Sequence, residues 1–237
     1  NVLIGRSAGL SITNGYQNIA IGQYALDAAN DAEHQNIAIG RSALSAETSG
    51  ADGCVAIGHS ALLNQNRDAS KNTAIGYLAL TNLGTGSSHF GGIQNTAVGY
   101  EAGGSGVIGG TTDGGSNEKG SYNTLLGYQA GKIITSGQSN TILGTSSGVA
   151  LTTGDNNTVM GKSAGEDLVD GANNVVIGKD AALNATGMAT GVYIGFAAGG
   201  LGVVTGADNV CVGALAGYDL TSGASNVLIG RDAGENL

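Results

Sequence analysis

Three apolar positions followed by a glycine recur along this chain, at a spacing that fits strands and not helices. Broken every 17 residues, positions 123–178 read "NTLLGYQAGKIITSGQS NTILGTSSGVALTTGDN NTVMGKSAGEDLVDGAN NVVIG". Each step opens with Asn, a β-branched residue, two apolar residues and Gly. Thirteen copies align on Gly5, Gly22, Gly40, Gly58, Gly76, Gly99, Gly127, Gly144, Gly161, Gly178, Gly195, Gly213 and Gly230. The steps are 17 or 18 residues, except 23 and 28 between Gly76, Gly99 and Gly127. Three residues before the glycine stands Val, Ile or Thr; one before it stands Ile, Val, Leu or Met. These two share one face of a strand, and the residue between them takes the other. That middle residue is small or apolar everywhere except Tyr193, so both strand faces are expected to be buried. Glycine within every few residues and an apolar spacing of two exclude a helix.

Four residues before the glycine, Asn fills eleven of thirteen copies: Asn1, Asn18, Asn36, Asn72, Asn95, Asn123, Asn140, Asn157, Asn174, Asn209 and Asn226, with Cys54 and Gly191 as exceptions. Asn tolerates left-handed backbone, so the column reads as a turn, and stacked Asn side chains can form an amide ladder. Three residues after the glycine stands Ala, or Ser147 once, which predicts close approach of another backbone. The second half of each repeat comes in an Ala-Gly and an Ala-Leu version, and both are expected to supply a second short strand and turn. A period near 17 then predicts an all-β, parallel β-solenoid of about 13 coils over residues 1–237, with insertions at 81–94 and 104–122. No single coil can bury its own faces; stacking at about 4.8 Å gives each one backbone partners above and below.

A coil this short has a narrow interior that takes one strand face. The second apolar face needs a cover, and a partner chain is the simplest one. The stretches "NTAIGYLAL", "NIAIGRSAL" and "NTAVGYEAG" resemble the head repeats of trimeric autotransporter adhesins of the YadA type, and repeats in phage tail-fibre proteins. The resemblance extends over all thirteen copies. It implies a left-handed parallel β-roll, a parallel homotrimer and a role in surface attachment. The 17–18-residue step is longer than the usual adhesin repeat and closer to the phage type.

Composition narrows the picture. A net charge of −9 with only 9 Lys and Arg, and no basic run, argues against nucleic acid and anionic membranes as partners. No stretch of about 18 apolar residues is present to span a bilayer. The chain opens inside a motif and reads as a segment of a longer fibre protein, extracellular, on a virion or a bacterial surface. His34, His59 and His89 lie in different repeats without zinc spacing. No nucleophile elbow or phosphate loop has a fitting context, since glycines here recur for coil geometry. A non-enzymatic protein without cofactor or metal is expected.

The residue after each glycine should face outward at the strand's end. In that column Tyr77, Tyr100 and Tyr128 follow one another; such a stripe either offers sugar rings a platform or simply covers the coil. The two insertions become loops on one face, often the binding face, which singles out His89, Phe90, Asp113, Asn117, Glu118, Lys119 and Tyr122. Acidic groups at Asp27, Asp31 and Glu33, and at Glu166, Asp167 and Asp170, match no calcium loop and read as solvated. Cys54 and Cys211 fall in different columns, about nine coils apart, too far for a disulfide. Cys211 is placed in the strand column turned toward a trimer axis, free and inert. Two other functions are weighed: an ice- or crystal-binding solenoid, from the column Thr73, Thr96, Thr124, Thr141 and Thr158, and a polysaccharide depolymerase, for which no recurrent carboxylate pair is present.

Overall fold

The computed structural model describes residues 1–27, 33–46, 51–65, 70–83, 92–106, 119–200 and 202–234. Among them the chain is an all-β parallel solenoid without a helix, and no segment is a helix long and apolar enough to cross a membrane. It forms two compact units, Asn1–Asn123 and Thr124–Leu237. The first contains β1 (Val2–Ile4), β2 (Ile19–Ile21), β3 (Ile37–Ile39), β4 (Val55–Ile57), β5 (Asn64–Gln65), β6 (Thr73–Ile75), β7 (Asn82–Leu83) and β8 (Thr96–Val98). The second contains β9 (Thr124–Leu126), β10 (Thr141–Leu143), β11 (Thr158–Met160), β12 (Val175–Ile177), β13 (Val192–Ile194), β14 (Val210–Val212) and β15 (Val227–Ile229). Every motif triplet is thus a strand. Within each unit, neighbouring triplets pair in parallel and in register, as in Val2↔Ile19 and Thr141↔Thr158.

The glycine that ends each strand is required by both backbone and space. Gly161 has φ +135°, and a Cβ there would lie 2.5 Å from the carbonyl oxygen of Gly178 in the next coil. A side chain on L backbone is strained at that φ and collides with a neighbour that cannot yield.

The Asn column has a different task from the one expected. The left-handed residue is the one before it: Gln17, Gln35, Lys71, Gln94, Tyr122, Ser139, Asn156 and Asn173 all have φ near +60°. Apart from exposed Asn1 and half-buried Asn226, the Asn side chains of the column are buried and bridge coils. Asn157 donates from Nδ2 to the Gly171 carbonyl at 2.8 Å, and its Oδ1 accepts from the Asn174 backbone N–H at 3.0 Å. Asn18, Asn36, Asn72, Asn95, Asn140 and Asn174 make the corresponding pair of bonds. Asn209 does so toward Gly223 and Asn226. The ladder is real; its geometry is amide to backbone, with amide-to-amide bonds such as Asn174 Nδ2 to Asn157 Oδ1 at 3.0 Å.

The second strand per coil is a correction. Among the described residues it exists only as β5 and β7, which pair with each other. Elsewhere the second half is stacked turns, joined by backbone bonds from one coil to the next, such as Gly148 N–H to Ala164 C=O at 2.9 Å and Ala150 N–H to Glu166 C=O at 2.9 Å. Both repeat versions share one backbone there. The fourth residue after the strand glycine is left-handed whether it is Gly131 (φ 55°) or Leu44 (φ 50°). The Ala column carries these close contacts: its carbonyls accept from the preceding coil, as Ala25 C=O does from Gly9 N–H at 2.9 Å.

The interior is lined by the middle strand residues and the second-half apolar residues. Ala20, Ala38, Leu125, Ile142, Val159 and Val176 are fully buried, with Ile134, Leu151 and Leu168 opposite in the coil. Burial on both strand faces is not what the single chain achieves. Strands β2 to β4 and β11 to β14 are buried only at their middle residue and half-exposed at both others. Cys211 is a middle residue and points into the coil, not outward; it and Cys54 are free and buried.

Candidate binding surface

The outward strand residues form two parallel columns in each unit, because in-register pairing stacks like on like. In the second unit Thr124, Thr141, Thr158, Val175, Val192, Val210 and Val227 make one column. Leu126, Leu143, Met160, Ile177, Ile194, Val212 and Ile229 make the other. The first unit matches it with Ile19, Ile37, Val55, Thr73 and Thr96 beside Ile21, Ile39, Ile57, Ile75 and Val98. The Thr column reads from sequence as buried; here it faces outward, with Thr141 exposed and Leu143 39% exposed. Nothing charged interrupts either column.

The residue after each strand glycine does face outward. Arg6, Arg41, Tyr77, Tyr100, Tyr128, Thr145, Lys162, Lys179, Phe196 and Arg231 are exposed. Repeat spacing brings planar groups into stacks: His59 on Tyr77 with centroids 5.3 Å apart, and Tyr77 on Tyr100 at 5.1 Å with planes 11° apart. Arg6 of this column lies 5.7 Å over the ring of Tyr24, which stands one residue beyond the column in the next coil. Tyr128, in the second unit, is 48% exposed. A second stack, Tyr16 on His34 at 3.9 Å, lies in another column; the sequence signal for it is only that the two residues are one step apart.

Of the insertion residues, His89, Phe90, Asp113, Asn117 and Glu118 lie outside the described residues. Lys119 is half-buried and Tyr122 is exposed. The insertion roots follow the solenoid: Gly92 N–H donates to Lys119 C=O at 3.0 Å and Tyr122 N–H to Ile93 C=O at 3.1 Å. Asp31 is also outside the described residues. Asp167 and Asp170 are solvated as expected, but Glu33 is buried, and its backbone carbonyl accepts from Asn18 Nδ2 at 2.8 Å. Among the described residues no three His, Cys, Asp or Glu side chains converge to hold a metal ion.

One event explains two exceptions in the motif. Tyr193 is fully buried. A Cβ at Gly191 would meet its Cε2 at 2.5 Å, and one at Gly199 its Cδ1 at 2.4 Å. The ring occupies the space of the missing Asn. Burial pushes its phenol up to about 12, with Cys211 adding to the rise, and burial pushes the Cys211 thiol up to about 11. Comparison with family models, curated proteins and solved structures finds no match for this chain.

Proposed function

We propose that this chain is a non-enzymatic attachment segment of an extracellular fibre, of a phage tail or a bacterial surface. On this reading it is a left-handed parallel roll of about 13 coils, works as a homotrimer, and presents a surface to a cell-surface glycan or protein receptor. The observation that carries the reading is the pair of outward apolar columns. They run strand after strand through each unit, half-exposed, with no charge to keep them in water. Packing them against a second and third copy removes that surface from water at roughly 25 cal/mol per Å², and closed symmetry leaves none of it open. Three copies also repeat any weak receptor contact, raising avidity without a new contact.

Lysines at Val175 and Ile177, outward on β12, test it. Val175→Lys with Ile177→Lys is expected to give a folded monomer with unchanged strand content that no longer adheres where the parent does. Unchanged solution mass in the variant contradicts the reading. The Thr column supports a second reading: Thr124, Thr141 and Thr158 stand in register on an outward face, as an ice- or crystal-binding surface requires. Thermal hysteresis in a monomeric chain would favour it.

A further inference from the structure

Outside the outward strand columns, the second unit carries a surface pocket. It has a volume of about 130 Å³ and is lined by Asp180, Leu183, Phe196, Gly200, Leu215 and Tyr218 over a floor that includes Ala197. The repeat assembles it from three consecutive coils. Gly200 is what lets Tyr218 form a wall: a Cβ at position 200 would lie 2.8 Å from the Tyr218 ring. Phe196 is 49% exposed, an unusual place for a phenyl ring on a chain that has Phe twice. At the rim, Lys179 Nζ is 2.7 Å from Asp180 Oδ2 and 5.2 Å from the centroid of Phe196.

We infer that this pocket is a subsite for one neutral, hydroxylated ring, a monosaccharide unit of a glycan. The size admits a single ring. Two aromatic walls and two leucines suit the apolar C–H face of a pyranose. The rim holds one acceptor and one donor already paired with each other, so its net charge is zero. A cationic ligand would have to displace Lys179 from both Asp180 and Phe196, and an anionic one would meet Asp180. A hydroxyl instead bridges the pair, donating to the carboxylate and accepting from the ammonium. The inference deepens the attachment reading by naming a ligand class, and it involves none of the residues assigned to the trimer contact.

Saturation-transfer NMR with the methyl glycosides of glucose, galactose and N-acetylglucosamine tests it, with tetramethylammonium and acetate as charged probes. Transfer to ring protons of at least one glycoside is expected, at about millimolar affinity for a single ring. Phe196→Ala is expected to weaken it roughly five- to tenfold, and Asp180→Asn to weaken it also. Leu10→Ala, at an exposed residue of the first unit, leaves it unchanged. Because Phe196 is half-exposed, its variant keeps the parent's melting temperature, and a lost signal then reports the site. No transfer from any glycoside overturns the inference. So does transfer that survives both pocket variants, or transfer from tetramethylammonium or acetate alone. Solution mass is read separately, so loss of the trimer and loss of the sugar site are distinguishable.

Discussion

A Cβ on Gly131 would lie 2.9 Å from Cδ2 of Leu125, six residues earlier and fully buried in the same coil. The relationship is general. Gly9 stands against Leu3, Gly148 against Ile142, Gly165 against Val159 and Gly217 against Cys211. At four of the five middle alanines, Ala20, Ala38, Ala56 and Ala74, the sixth residue on becomes Leu26, Leu44, Leu62 or Leu80, all fully buried; Ala97, followed by Gly103, is the exception. In those coils the interior keeps its volume by letting one of two positions fill it.

This pairing predicts a size swap. Leu125→Ala costs about 2–5 kcal/mol by opening a cavity, and Gly131→Leu alone is comparably costly by overpacking. The double variant reproduces the Ala20 and Leu26 arrangement, whose backbone is the same: φ is 51° at Leu26 and 55° at Gly131. It is expected to recover most of the loss, less about 1–2 kcal/mol for Leu in left-handed backbone. Urea unfolding of the four proteins checks the cycle; strictly additive losses contradict it.

The ladder predicts a second cost. Asn157→Ala strands the Gly171 carbonyl and the Asn174 N–H, at about 1–3 kcal/mol for each buried group. Amide exchange at Asn174 rises along with the drop in stability. An unchanged exchange rate there sinks the ladder as a source of stability.

How much of this was legible in the sequence depends on who makes the bond. Side-chain periodicity announced each strand, the strand glycines and the outward column of Tyr77 and Tyr100. The stacked turns were not legible, because backbone groups hold them together: Thr152 N–H bonds Val169 C=O at 2.8 Å whatever their side chains are. The apolar residues there predict a second strand, yet they only fill the interior. Left-handed positions before the ladder are filled by Gln17, Lys71, Tyr122 and Thr190 alike, so no residue type marks them. The pairing of Ala20 with Leu26 was in the sequence, visible only when two columns are compared. Tyr218 beside Gly200 was signalled only by the single 18-residue step between them.

Glycine at the strand end predicts a contrast between two alanine variants. Gly161→Ala meets the Gly178 carbonyl oxygen at 2.5 Å and is expected to unfold its unit. Gly230→Ala, with φ +123° and nothing within 4 Å, keeps only the backbone strain, of order 1–3 kcal/mol. Equal melting temperatures for the two would contradict the inter-coil contact.

Alkaline pH predicts a loss of stability. Tyr193 and Cys211 are neutral acids whose folded pKa values are raised by burial to about 12 and about 11. Their contribution is complete below the unfolded values of 10.0 and 9.0 and is lost as pH rises through the folded ones. The unfolded state sheds its protons first, so melting temperature should fall above about pH 9. Cys211→Ala removes part of that slope, and a flat profile from pH 8 to 11 opposes the account.

The most direct test of the account is the solution mass of the purified chain by light scattering. The apolar columns on the outer face of each unit predict association, and the resemblance to trimeric fibre repeats implies three copies, about 69 kDa from a 23.1 kDa chain. A stable 23.1 kDa monomer would contradict it, leaving the columns of Val175 and Ile177 open to water and the attachment reading without its interface.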